Sequence, residues 1–223
     1  MKDLGARTVH DVLLLSLIAG SADAAGFLGP GHAFTSNMTG NVVLLGIALG
    51  QGHWVEAARV FYVVLIFMAG IALGAWLCRS AADPEQRSLS RRAMAAETAL
   101  LFLFAAVWWT LTHDARDIMN DILIALLALA LGIQAAAISR LKIPGVATTA
   151  ITGTLTSLVN GALRPSATAP KEMPGMSPVR FQTLVVVLYC GGAIVSALLM
   201  HRMPSSVGLL PALLALVATL RQR

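Results

Sequence analysis

Three groups of residues carry the chemistry this sequence can do. A carboxylate, Asp23, sits well inside an apolar run that extends over about 11–28. Two short stretches hold small residues at candidate helix starts: Asn37, Thr39, Gly40 and Asn41 in the first, Thr149, Thr152, Gly153 and Thr154 in the second. Asn37, Thr39, Thr149 and Thr152 are types that cap such starts, Gly40 and Gly153 leave backbone N–H groups accessible to a ligand, and Asn41 and Thr154 line the same point. A helix start has unpaired N–H groups and about half a positive charge. Two of them aimed at one point would hold an anion or the negative end of a dipole. The eight residues are therefore read as binding a small polar solute of anionic character. An acid at membrane depth is costly unless it has a task. Asp23 is read as a proton-coupling group, and Gln134, its rough counterpart in the second half, as a polar partner that does not titrate. The plainer alternatives are that each Thr-Gly pair just caps its helix, and that Asp23 hydrogen-bonds the irregular segment beside it.

Other chemistry lacks its equipment. His10, His32, His53, His113 and His201 are scattered, without a His-x-x-x-His or Cys-x-x-Cys spacing, so no metal site is expected. There is no Gly-x-Ser-x-Gly, no Walker loop and no carboxylate pair on one face. We therefore expect no catalytic residue, no cofactor and no enzyme. Glu97, near Arg91 and Arg92, is expected in an ion pair at the end of its helix. Cys78 and Cys190 both fall in or beside apolar runs, where a disulfide framework is not expected.

The elements that must position these residues follow from composition. Of 223 residues, 57% are hydrophobic and 12% charged, with mean hydropathy +0.76. Soluble domains carry about 25% charged residues, so this is a membrane chain. Its net charge of +5 comes from 16 Lys and Arg that lie between apolar runs rather than in one patch, which excludes nucleic acid as a partner. Runs of span length fall at about 11–28, 58–78, 94–112, 118–139, 179–200 and 205–220. Lys2 and Arg7 ahead of Val12–Ala19 imitate a signal peptide, but the apolar stretch runs on through Leu28, so an uncleaved first helix is expected.

Two pieces, about 40–50 and 153–163, are half that length, and each follows an irregular Gly-, Pro- and Thr-rich stretch. Charge decides whether they cross. If both turn back, six spans put 13 of the 16 basic residues and both termini in the cytoplasm, with Arg59, Arg116 and Arg202 outside. If both cross, seven lie inside and nine outside. The first arrangement obeys the positive-inside rule. Crossing strand-plus-half-helix segments stay open as an alternative, because charge counting does not see a short element buried in protein.

The chain also repeats. Thr35-Ser36-Asn37-Met38-Thr39-Gly40-Asn41 matches Thr148-Thr149-Ala150-Ile151-Thr152-Gly153-Thr154. Arg59, Phe67, Gly70 and Gly74 line up with Arg180, Tyr189, Gly192 and Ser196. Each unit, about 8–113 and 117–221, has three spans, an odd number, so the two are expected to be inverted relative to each other. The predicted fold is thus an all-α membrane protein, a single transmembrane domain of six helices plus two re-entrant half-helices in a 3+3 inverted repeat. Gly70/Gly74 and Gly192/Ser196 form small-xxx-small faces, for internal packing or for a homodimer seam.

Asp23-Ala24-Ala25-Gly26-Phe27-Leu28 with Phe34-Thr35-Ser36-Asn37-Met38-Thr39-Gly40-Asn41, then Gly132-Ile133-Gln134-Ala135-Ala136 with Thr148-Thr149 and Thr152-Gly153, resembles the YoaK-like family of bacterial membrane proteins. The resemblance covers nearly the whole chain and implies an integral inner-membrane protein of unknown function. A more distant architectural likeness is to sulfate and nucleobase permeases, whose sites lie between two half-helices. The expected function is a secondary transporter or facilitator of that small solute, binding midway through the membrane. A passive pore and a non-transporting scaffold or sensor are the alternatives. Lipids, the solute and a second copy of the chain are the expected partners.

Overall fold

The computed structural model describes residues 6–79, 89–110, 117–141, 143, 151–163 and 176–222. Among them the chain is helical almost throughout, as long apolar runs must be in lipid, where every backbone amide needs an internal partner. The helices are α1 (Ala6–Gly26), α2 (Met38–Gln51), α3 (Trp54–Leu77), α4 (Arg91–Thr110), α5 (Asp117–Ser139), α6 (Ile151–Leu163), α7 (Pro178–Arg202) and α8 (Leu209–Leu220). Among the described residues, five apolar helical segments are long enough to cross a membrane: Arg7–Gly31, Trp54–Leu77, Arg91–Thr110, Ile118–Ser139 and Pro178–Arg202. The expected sixth span differs. Its chain makes a 3-10 turn at Pro204–Ser206 and then the 12-residue α8, about 18 Å long and short of a hydrocarbon core of about 30 Å.

The contacts set the helix directions. Ser196 Oγ donates to the Ser21 carbonyl at 2.9 Å and Gly192 abuts Leu17, so α7 runs parallel to α1. Arg59 pairs with Asp121 at 2.7 Å while Gly74 abuts Ile133 and Ala136, so α3 runs parallel to α5. Gly31 meets Ile124 and Gln134 Nε2 donates to the Leu15 carbonyl at 3.1 Å, which makes α1 and α5 antiparallel. Trp108 Nε1 donates to the Pro204 carbonyl at 2.7 Å, and Thr98 and Thr219 share a 2.8 Å hydroxyl contact. α4 and α8 are therefore antiparallel as well. At the end where α8 finishes, Arg221 and Gln222 reach the buried Asp11 of α1 at 3.1 and 2.7 Å.

Small residues make the two parallel seams. A Cβ on Gly192 would strike the Leu17 carbonyl, and one on Gly132 would strike that of Phe67. Gly70 and Gly74 lie against α5, and Gly192 and Ser196 against α1. These faces are occupied within the chain, which is the internal-packing alternative rather than the dimer seam. The core lies between α1 and α5, where Leu15, Ile18, Leu127 and Leu131 are fully buried. Val55, Met68, Val187 and Leu198 are exposed on α3 and α7, the arrangement a lipid solvent favours.

Candidate functional site

α1 does not stop where glycine and proline first suggest. It continues through a π-helical turn, Phe27–Gly31, and ends at His32, whose φ of 47° is left-handed. π turns inside helices often mark functional sites. The chain then doubles back: Thr35 and Ser36 reach Asp23, which lies eight residues before Gly31. Eight residues of helix span about 12 Å, so α2 begins deep alongside α1 rather than at its end. Phe34 stacks on Phe27 with ring centroids 4.8 Å apart, holding the returning segment against the π turn.

Asp23 is the pin of this segment. It is 3% exposed and accepts five hydrogen bonds. Oδ1 takes the Thr35 amide at 2.7 Å, the Thr35 hydroxyl at 2.9 Å and the Ser36 amide at 2.6 Å. Oδ2 takes the Ser36 hydroxyl at 2.7 Å and the Tyr189 hydroxyl, which arrives from α7. Asn41 adds a second clasp: its carboxamide accepts from the Phe34 amide at 2.8 Å and donates to the Phe34 carbonyl at 2.6 Å. Asn37 caps α2, its side chain accepting from the Gly40 amide at 3.2 Å.

A cavity of about 290 Å³ opens where the two half-helices begin. It is lined by Ser36, Asn37, Met38 and Thr39 from the start of α2, Ile151 and Thr152 from the start of α6, and Phe67 and Tyr189. Of the residues singled out from sequence, Asn37, Thr39 and Thr152 line this cavity. Gly40, Asn41, Gly153 and Thr154 are not among its lining residues. Asn41 and Thr154 are fully buried, and the Gly40 amide, expected to face a ligand, is taken by Asn37. Among the described residues, space is open around Gly153. Thr149 and the irregular stretch at 144–150 lie outside the described residues. Gln134 is buried in α5 and reaches α1 rather than the cavity.

Ser36, Met38, Phe67, Ile151 and Tyr189 were not anticipated as lining residues. The repeat alignment contained the signal for four of them, because it pairs Met38 with Ile151 and Phe67 with Tyr189. Glu97 corrects another expectation. It is 1% exposed, while Arg91 and Arg92 are exposed, and its Oε1 has no hydrogen-bond partner among the described residues. Two turns of helix carry it away from solvent, where a long basic side chain can snorkel and a carboxylate cannot.

Comparison with known proteins adds membership and no chemistry. A family model described as "Protein of unknown function (DUF1275)" matches residues 12–220. The curated UPF0700 transmembrane protein YoaK of Bacillus subtilis (strain 168) is 34% identical over 185 residues, covering 83% of this chain and 80% of that protein. No solved structure matches. With five helices of spanning length, the chain is a multi-pass membrane protein.

Proposed function

The chain belongs to the DUF1275 family, and from the geometry of its cavity we propose that it is a secondary transporter or facilitator of a small polar, anionic solute across the bacterial inner membrane, with both termini cytoplasmic. The observation that carries this reading is one cavity bounded by the starts of two separate half-helices. Its volume, about 290 Å³, suits a small solute, at the lower edge of the roughly 300–1,000 Å³ of small-molecule sites.

An inverted repeat of two three-span units accounts for the wall. Met38 with Ile151, Thr39 with Thr152 and Phe67 with Tyr189 are each equivalent pairs in the sequence alignment. The same equivalence maps the parallel seam α1–α7 onto α5–α3, and maps α4 onto α8, which serves as a sixth, shortened span. Transport sites in inverted-repeat carriers lie at such a repeat interface, where broken helices end.

Charge supports a link between solute and proton. The two helix starts supply about +0.5 each, while an ionised Asp23 stands directly behind Ser36 and Tyr189 with about the opposite total. An anion in the cavity is opposed by that carboxylate and favoured once a proton neutralises it. Asp23 thus serves two tasks, pinning the returning segment and tying anion entry to a proton. The test is a panel of small anions and neutral polar solutes in a thermal-shift assay on purified protein, followed by uptake into proteoliposomes with the solutes that shift it. A stabilising solute should lose its effect in Thr39→Val/Thr152→Val, and Asp23→Asn should bind it while no longer responding to a proton gradient. Equal shifts in wild type and the double variant would place binding elsewhere.

A further inference from the structure

The two half-helices start at one cavity but differ along the face that leads away from it. Steps of four residues from Thr152 reach Thr156 and Asn160, so the three share a face of α6, and all three are exposed. The equivalent positions of α2 are Thr39, Val43 and Ile47, with Val43 and Ile47 exposed at 58% and 50%. One face is polar along its length and the other turns apolar after its first residue.

Depth gives this difference its meaning. At 1.5 Å per residue Thr156 stands about 6 Å and Asn160 about 12 Å from Thr152 along the helix. With Thr152 at the bilayer centre, both fall within a hydrocarbon half-thickness of about 15 Å. Thr156 covers its hydroxyl by donating to the Thr152 carbonyl at 3.0 Å. Asn160 has two amide hydrogens and a carbonyl oxygen, and it forms no hydrogen bond among the described residues. An exposed carboxamide in hydrocarbon costs several kcal/mol that it does not cost in water. Val43 and Ile47 have the opposite preference. Among the described residues the space around Gly153, beside the cavity end of this face, is open.

We infer that the Thr152–Thr156–Asn160 face of α6 lines a water-filled route from the cavity to the membrane surface where α6 ends, while the matching face of α2 is closed to water by lipid. The basic residues Arg164, Lys171 and Arg180 that follow α6 assign that surface to the cytoplasm. The inference rests on the transport reading for the midplane position of Thr152. It makes this conformation one that exchanges solute with the cytoplasm.

The test is labelling of single cysteines by a membrane-impermeant sulfonated thiol reagent, in a background where Cys78 and Cys190 are replaced by alanine. Thr156→Cys and Asn160→Cys should react from inside-out vesicles at least about tenfold faster than Val43→Cys and Ile47→Cys, because the reactive thiolate forms in water and not in lipid. Neither should react in intact cells, where His53→Cys should. Amide hydrogen exchange on the unsubstituted protein in lipid nanodiscs should likewise be faster along α6 than along α2, a readout that no misfolded variant can spoil. Equal rates on the two helices, labelling of α6 from the outside, or crosslinking of Thr156→Cys between two copies would overturn the route. The labelling involves no solute. A hydrated α6 face with a silent solute panel leaves the route and removes the binding site, and a dry face with a responsive panel does the reverse.

Discussion

Replacing Asp23 by alanine removes the acceptor for five donors at once. Three of them are hydroxyls, on Thr35, Ser36 and Tyr189, and can rotate toward other acceptors. The backbone amides of Thr35 and Ser36 cannot, and both residues are buried, at 0% and 3% exposure. A buried donor left unpaired costs about 1–3 kcal/mol, so two of them cost about 2–6 kcal/mol. For a chain of this size about 1 kcal/mol moves the melting temperature by about 2–4 °C, which puts Asp23→Ala roughly 4–24 °C below wild type. Asparagine is the informative contrast. Its Oδ1 keeps both amides, and its Nδ2 meets two hydroxyls that can turn to accept, so about 1–2 kcal/mol should be lost. Thermal unfolding of detergent-purified protein, followed by intrinsic tryptophan fluorescence, measures both. Peptide-level amide exchange over residues 34–37 should rise in Asp23→Ala and stay near wild type in Asp23→Asn. An alanine variant melting within about 1 °C of wild type, or an asparagine variant less stable than the alanine one, would refute the role of this carboxylate as the pin.

Asn41→Ala opens the second clasp and leaves the Phe34 amide and carbonyl unpaired; we expect a loss of about 2–4 kcal/mol in the same melting assay. Gly192→Ala drives a methyl into the Leu17 carbonyl and should cost about 1–3 kcal/mol or more, whereas Gly46→Ala, with open space around it, should be neutral or stabilising by up to about 1 kcal/mol. A comparison of detergent-resistant yield after heating separates the two. Glu97→Met removes a buried carboxylate whose Oε1 has no hydrogen-bond partner among the described residues and fills the same volume with an apolar chain, so its melting temperature should rise by a few degrees. The Arg59–Asp121 pair is partly exposed, and a double-mutant cycle on it should return less than about 1 kcal/mol of coupling, falling further in high salt.

Hydropathy and residue type were enough to place the helices. Runs of span length can satisfy their amides in lipid as helices, and those amides bond within the run itself, so a local reading suffices. The expected 58–78 became Trp54–Leu77, 118–139 became Asp117–Ser139, and the two half-length pieces became Met38–Gln51 and Ile151–Leu163. The Asn37 cap was legible for the same reason, since a cap reaches three residues along the chain. Tertiary contact decided what local pattern does not encode. Tyr189 meets Asp23 across 166 positions, and no property of either segment alone selects that partner. Glu97 reads as interfacial from its basic neighbours, yet the packing of α4 buries it. Asn41 and Thr39 stand two residues apart and look alike in the motif. The turn of the helix sends one into the protein to clasp Phe34 and leaves the other on the cavity wall, because neighbouring positions on a helix face different ways. That the starts of α2 and α6 border one cavity depends on how α3 and α7 carry them, a long-range fact that lies in the packing and not in the motif.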